Sequence, residues 1–251
     1  MQSSTRRLVQ STMLAAAMVA VPAVASATIY TPTPADMNDL DHHYVYTWKI
    51  SGIPTIGAGN MVTSATLTFT NMYNWDNTAN DLFLHLLDTA KNTGVASFVD
   101  EPLGTAPVTH IDDDFVDTRY HSDPSWLVAA GTADTFLTKR SFSPLGANPV
   151  TGNPGPDTNP SGWTWTPSGT LSGSQLYTYT YTFTAAQNAA LLTYINNGGT
   201  IAIGFAPDCH FFNDGISLDI KTGAIPAVPE PVSLLLLGTG LVAARRYRTR
   251  K

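Results

Sequence analysis

The sequence predicts an all-β fold: a jelly-roll-like β-sandwich with one short helix. Three observations predict it. Apolar residues recur with a period of two in several short runs, turn residues separate those runs, and a single segment carries helix-boundary signals. Tyr44, Tyr46, Trp48 and Ile50 fall on one face of an extended segment, with Thr47 and Lys49 on the other. Ala65, Leu67 and Phe69 alternate with Thr66, Thr68 and Thr70, and Leu82, Leu84 and Leu86 alternate with Phe83, His85 and Leu87. Tyr177, Tyr179, Tyr181 and Phe183 interleave with Thr178, Thr180 and Thr182, the β-branched and aromatic mixture that strands favour. Ile201, Ile203 and Phe205, then Ile216, Leu218 and Ile220, repeat the pattern. These read as antiparallel strands, most with one wet face, in two packed sheets.

Between the last two groups lies the helix. Thr184 and Gln187 have the spacing of a capping box, Ala185 to Ile195 follows, and Gly198 stands where a left-handed residue would close the helix. No repeat of fixed period is present, which argues against a propeller or solenoid. Residues 143–175 differ from the rest, with 6 Pro and 6 Gly in 33 positions and Asp157 as the only charge. A segment of that length without periodicity reads as a functional or mobile loop. Trp163 and Trp165 would face the same way on an extended backbone and could stack on sugar rings, with Trp75 as a third candidate; the plainer reading pins them to the sandwich.

The 251 residues carry 13 Lys+Arg and 19 Asp+Glu, but the charges are unevenly placed. Arg6, Arg7, Arg245, Arg246, Arg248, Arg250 and Lys251 lie in the two ends. Residues 28–228 hold 6 basic and 18 acidic groups, a net charge of −12. Such a body does not suit nucleic acid or anionic lipid, both of which require a basic face. Three parts follow: residues 1–27, a β-sandwich domain at 28–224 and a tail at 225–251.

Residues 1–27 read as a secretory signal peptide for signal peptidase. Arg6 and Arg7 supply the positive start, Leu8 to Val24 the mainly apolar stretch and Ala25-Ser26-Ala27 the cleavage site. The mature chain is expected to begin near Thr28. General secretion fits better than twin-arginine export, because Val9 and Gln10 match the latter poorly. Within the tail, Val228-Pro229-Glu230-Pro231 is followed by Val232 to Ala244, thirteen residues in which only Ser233 and Thr239 are polar. Five basic residues then occupy the last seven positions. A thirteen-residue helix rises about 20 Å, short of the ~30 Å hydrocarbon core, so the expected transmembrane helix at 232–244 is a short one. Its basic flank would stay on the cytoplasmic side and leave the body outside.

This order of parts resembles the PEP-CTERM sorting signal of Gram-negative bacteria. The matching residues are Pro229-Glu230-Pro231, the run Ser233-Leu234-Leu235-Leu236-Leu237-Gly238, Gly240-Leu241 and Arg245-Arg246. The resemblance covers about 23 residues and implies processing by exosortase, a membrane-embedded cysteine enzyme that cleaves near the tripeptide. Pro229, Glu230, Pro231, Arg245 and Arg246 would then be recognition residues. The protein would cross the inner membrane, be held there before processing, and pass to the cell surface or an extracellular polysaccharide matrix. Tyr73-Asn74-Trp75-Asp76-Asn77, Asn80-Asp81-Leu82, Pro207-Asp208-Cys209-His210 and Asn213-Asp214-Gly215 also resemble recurring features of uncharacterised exported domains bearing this tail. That weaker likeness implies no known activity.

Seventeen of the body's 18 acidic residues are Asp, a short carboxylate suited to turns and to calcium shells. Asp112, Asp113, Asp114 and Asp117 form one cluster, and Asp208, Asn213 and Asp214 share the loop between the last two strands. Neither group matches an EF-hand loop, nor does Asp36 to Asp41. Calcium is thus an inference from composition and clustering, with Asp208, Asn213 and Asp214 as donors, joined by Asp76 if its loop lies at the same end of the sandwich. The alternative is a set of solvated turns. Cys209-His210 suggests zinc or a nucleophile, but one cysteine makes no thiolate zinc site and the histidines lack H-x-x-x-H spacing. His42 and His43 adjoin Asp41, yet as strand neighbours they would point to opposite faces. G-x-S-x-G and a phosphate-cradling glycine loop are absent. The sequence therefore predicts a non-catalytic structural or adhesive protein. The alternatives are a calcium-assisted module binding extracellular polysaccharide and, after it, an enzyme acting on polysaccharide.

Overall fold

Among the described residues, twelve strands and one helix follow one another along the chain. They are β1 (Ser26–Tyr30), β2 (Tyr44–Ser51), β3 (Asn60–Asn74), β4 (Asn80–Leu87), β5 (Gly94–Val99), β6 (Asp134–Phe142), β7 (Asp157–Thr158), β8 (Thr164–Trp165), β9 (Tyr177–Thr182), α1 (Ala185–Gly198), β10 (Thr200–Pro207), β11 (Phe211–Phe212) and β12 (Gly215–Ala224). The computed structural model describes residues 26–74, 80–99, 115–116, 123–142, 157–158, 164–165 and 177–226. The expected signal peptide up to Ala25, the acidic run at Asp112–Asp114 and Asp117, and the expected membrane helix of the tail lie outside the described residues, as do Trp75, Asp76, Trp163, Pro229, Glu230, Pro231, Arg245 and Arg246.

Two antiparallel sheets account for most of these strands. One has the order β1-β12-β3-β11, with β9 also paired to β3; the other has the order β5-β2-β10-β4-β6. Strands β7 and β8 form a separate two-stranded ribbon, in which Trp165 pairs with Asp157. Alternation places the large apolar side chains between the sheets. Tyr46, Trp48, Ile50, Leu82, Leu84, Leu86, Ile201, Ile203 and Phe205 from one sheet meet Ala65, Leu67, Phe69, Ile216, Leu218 and Ile220 from the other in a single core. The strand faces expected from the sequence are those observed. Strand β1 straddles the expected cleavage point, and Thr28, Ile29 and Tyr30 on its mature side pair with Ile220, Asp219 and Leu218.

The outward faces differ from expectation. The sheet containing β3 exposes threonines, but the sheet containing β2 is covered on its outer face over parts of β2, β4 and β10, while Lys139 on β6 stays about half exposed. Val45, Leu87, Ala202 and Ala206 on its outer face are buried beneath Phe115, Trp126, Leu127 and Val128. His85 lies in this second layer, fully buried, between the rings of Phe115 and Phe136. Its Nδ1 stands 2.9 Å from an Asp134 carboxylate oxygen. Gly204, opposite His85 on β10, leaves the room for this layer, since a Cβ there would sit 2.9 Å from the Phe115 ring.

Helix α1 begins with the expected capping box. Thr184 Oγ1 accepts from the Gln187 N–H, and the Gln187 side chain accepts from the Thr184 N–H. Gln187 also donates to the carbonyls of Phe136 and Leu137, which ties the helix start to β6. The left-handed residue that ends the helix is Gly199, not Gly198, with φ 65°. A Cβ at Gly199 would approach the Ile53 carbonyl oxygen to 2.9 Å, so both conformation and space demand glycine there.

Candidate functional site

The segment between β1 and β2 forms a strap across one end of the sandwich. Residues Met37, Asn38 and Asp39 all take left-handed backbone angles, with φ of 60°, 57° and 55°. Asn and Asp tolerate that region, whereas for Met37 it costs about 1–2 kcal/mol. Full burial of the Met37 side chain in the core offsets the cost. Hydrogen bonds to the loop around β11 then fix the strap. Asn213 donates its N–H to Asp39 Oδ1 and its side-chain amide to the Asp36 carbonyl, each at 3.0 Å, and the Ile216 N–H reaches the Ala35 carbonyl at 2.8 Å.

The decisive pairing is an isolated antiparallel bridge between Leu40 and Phe211, whose N–H and C=O groups exchange hydrogen bonds of 2.9 and 3.1 Å. In an antiparallel register the residues that flank such a bridge are also opposite each other, so Asp41 is brought to His210. His42 and His43 lie in a turn rather than a strand, and their rings come within 3.9 Å, centroid to centroid. The sequence expectation that they point to opposite faces therefore fails: the alternation of side chains requires extended backbone, and this backbone turns before β2 starts.

One buried carboxylate oxygen gathers all three imidazoles. Asp41 Oδ1 is 2.8 Å from His43 Nδ1, 3.5 Å from His42 Nδ1 and 3.5 Å from His210 Nδ1, and it also accepts the His43 N–H at 3.0 Å. Asp41 and His210 are each 1% exposed, while His42 and His43 are partly open to water. Tyr46 supports the site from the core, its hydroxyl oxygen accepting the Asp41 N–H at 2.9 Å. Burial pushes the Tyr46 phenol well above its ordinary range, against the lowering effect of the Asp41 N–H, and the nearby Asp41 charge adds to the rise. The hydroxyl stays protonated and adds no charge beside the carboxylate. Among the described residues, Asp41, His42 and His210 form a group whose potential ligand atoms all lie within 4.8 Å of one another.

The residues favoured by sequence are distributed differently. Asp208 Oδ1 accepts the Asp81 N–H at 2.5 Å, and the Asp208 N–H reaches the Asp81 carbonyl. The Asp81 carboxylate in turn pairs with Lys139 at 2.6 Å and accepts the Ser141 hydroxyl. Asn213 holds the strap and accepts the Gly215 N–H, while Asp214 accepts the Asn71 amide at 2.6 Å. Asp208, Asn213 and Asp214 thus serve three separate hydrogen-bond sets. Asn74 does lie at the same end, paired across the sheet with Phe211. The missed residues are Asp41, His42, His43 and His210. Their signal was the run Asp41-His42-His43 and the pair Cys209-His210, which hold three of the chain's six histidines, but no linear spacing joins the two segments.

Comparison with protein-family models, with curated proteins and with solved structures finds no match for the chain.

Proposed function

We propose that this chain is an exported cell-surface or extracellular-matrix protein, sorted by an exosortase and serving a non-catalytic structural or adhesive role. One observation carries the reading: Pro229-Glu230-Pro231, an apolar run and an arginine cluster stand in the order of a PEP-CTERM signal, at the far end of a chain that opens like a secretory precursor. The body supports it in two ways. Its two antiparallel sheets bury a large shared core, as a domain working outside the cell without a disulfide must, and Cys209 is the only cysteine. Its charge of −12 keeps it soluble and repels other polyanions. We further read the sandwich as jelly-roll-like. Successive strands from β1 to β4 cross from one sheet to the other, and so do β6 to β9 and β9 to β10.

The test is to follow the tagged chain in a host with and without exosortase. Cleavage near residues 229–231 and appearance in the surface fraction, both lost on deleting Pro229-Glu230-Pro231, are expected. An intact C-terminus in both hosts would overturn the sorting role. Turnover of matrix polysaccharide that vanished on replacing one aspartate would overturn the non-catalytic role.

A further inference from the structure

We propose that Asp41, His42 and His210 form a binding site for a divalent ion of the zinc class, which clips the strap to the segment leading into β11. The chemistry of the donors selects the ion. Two imidazole nitrogens and one carboxylate oxygen suit borderline ions such as zinc, whereas calcium takes oxygen ligands almost alone. Spacing agrees. Ligand atoms about 2.0–2.1 Å from a tetrahedral ion lie about 3.3 Å apart. The Asp41 oxygen is 3.5 Å from the Nδ1 atoms of both His42 and His210.

His43 has a different part. Its Nδ1 lies 2.8 Å from the same oxygen, at hydrogen-bond distance, and its backbone N–H donates there too. It therefore orients the carboxylate, the task that outer partners perform around metal ligands. The Tyr46 hydroxyl fixes the Asp41 backbone from the other side. His42, 30% exposed, marks the open side, through which the ion would enter and where water would complete the coordination. The ligands come from distant parts of the chain held together by the Leu40–Phe211 bridge, so an ion here closes a long loop, the case in which a clip stabilises most. This site is independent of the sorting reading and does not require the tail to be processed.

The experiment is zinc titration of the whole mature protein after chelator treatment, read by calorimetry and by thermal unfolding, with calcium as a control ion. Wild type is expected to bind one equivalent of zinc, with a midpoint rise of roughly 5–10 °C when free zinc is about 100 times Kd. Calcium should give no such shift. His42→Ala, at the exposed edge, should fold and weaken zinc binding at least tenfold, and His210→Ala should do the same if it folds. His43→Gln, which alters only a positioning residue, should weaken binding less than His42→Ala. Absence of a zinc-dependent midpoint shift, or a one-equivalent affinity unchanged in His42→Ala, would overturn the proposal.

Discussion

Among the described residues an imidazole is buried against a carboxylate in two places, and the two are built to opposite ends. His85 meets Asp134 one to one inside the second apolar layer, with aromatic rings on either side. Asp41 meets three imidazoles at the seam between a strap and a loop, with two of them partly open to water. The first arrangement gives Nδ1 one carboxylate partner and seals the ring among apolar neighbours, with Nε2 buried and without a hydrogen bond. The second gathers three imidazole nitrogens around one oxygen and leaves an entrance. Position in the fold explains the difference: His85 sits mid-strand where its sheet is covered by a second apolar layer, whereas the Asp41 group sits where chain segments cross without a regular ladder.

Removing the largest ring of the second apolar layer should produce the largest effect. Trp126 is fully buried, in edge-to-face contact with Phe98 and stacked on Phe115. Trp126→Ala is expected to cost about 3–5 kcal/mol in denaturant unfolding, while the zinc affinity per folded molecule stays unchanged. A loss of both together would mean that the two sites are coupled through the sheet. Asp134→Ala comes next. It leaves a buried imidazole nitrogen without its acceptor, for an expected loss of about 1–3 kcal/mol, again with no change in zinc response. A neutral result would show that the pair is not held as tightly as its 2.9 Å contact implies.

The smallest effect belongs to a third carboxylate, which sets the scale for an exposed contact. Burial alone would raise the Asp81 pKa, but the hydrogen bonds from Lys139 and Ser141 outweigh it, and the group lies below its ordinary value. A depressed carboxylate stabilises the fold fully above its unfolded pKa, near 3.9, and loses that contribution as pH falls through the lower folded value. Lys139 is about half exposed, so Lys139→Met is expected to cost under about 1 kcal/mol at pH 7. The difference between variant and parent should disappear near pH 2, as measured by unfolding midpoints across that range.

Much of this architecture was legible in the residues. Period-two alternation identified the inward faces of β2, β4, β10 and β12, because a buried face writes its composition directly into the pattern. The capping box at Thr184 was equally plain, though the closing glycine was read one position early. The second apolar layer was harder. Leu82 to Leu87 is apolar on both faces except for His85, a sign of a strand covered twice, but Phe115 and Trp126-Leu127-Val128 carry no period of their own. The Asp41 site was hidden for a different reason. It depends on a run of three left-handed residues, on a turn that breaks the strand alternation and on one long-range bridge. None of these leaves a linear signature, whereas Asp208, Asn213 and Asp214, which did attract notice, take part in hydrogen bonds to neighbouring segments.

The most direct measurement of the metal clip is anomalous diffraction at the zinc edge from crystals of the zinc-loaded protein. A single peak about 2 Å from the Asp41 carboxylate and from a ring nitrogen of both His42 and His210 is the predicted result. An ordered site without a peak, or a peak held by other residues, would contradict it.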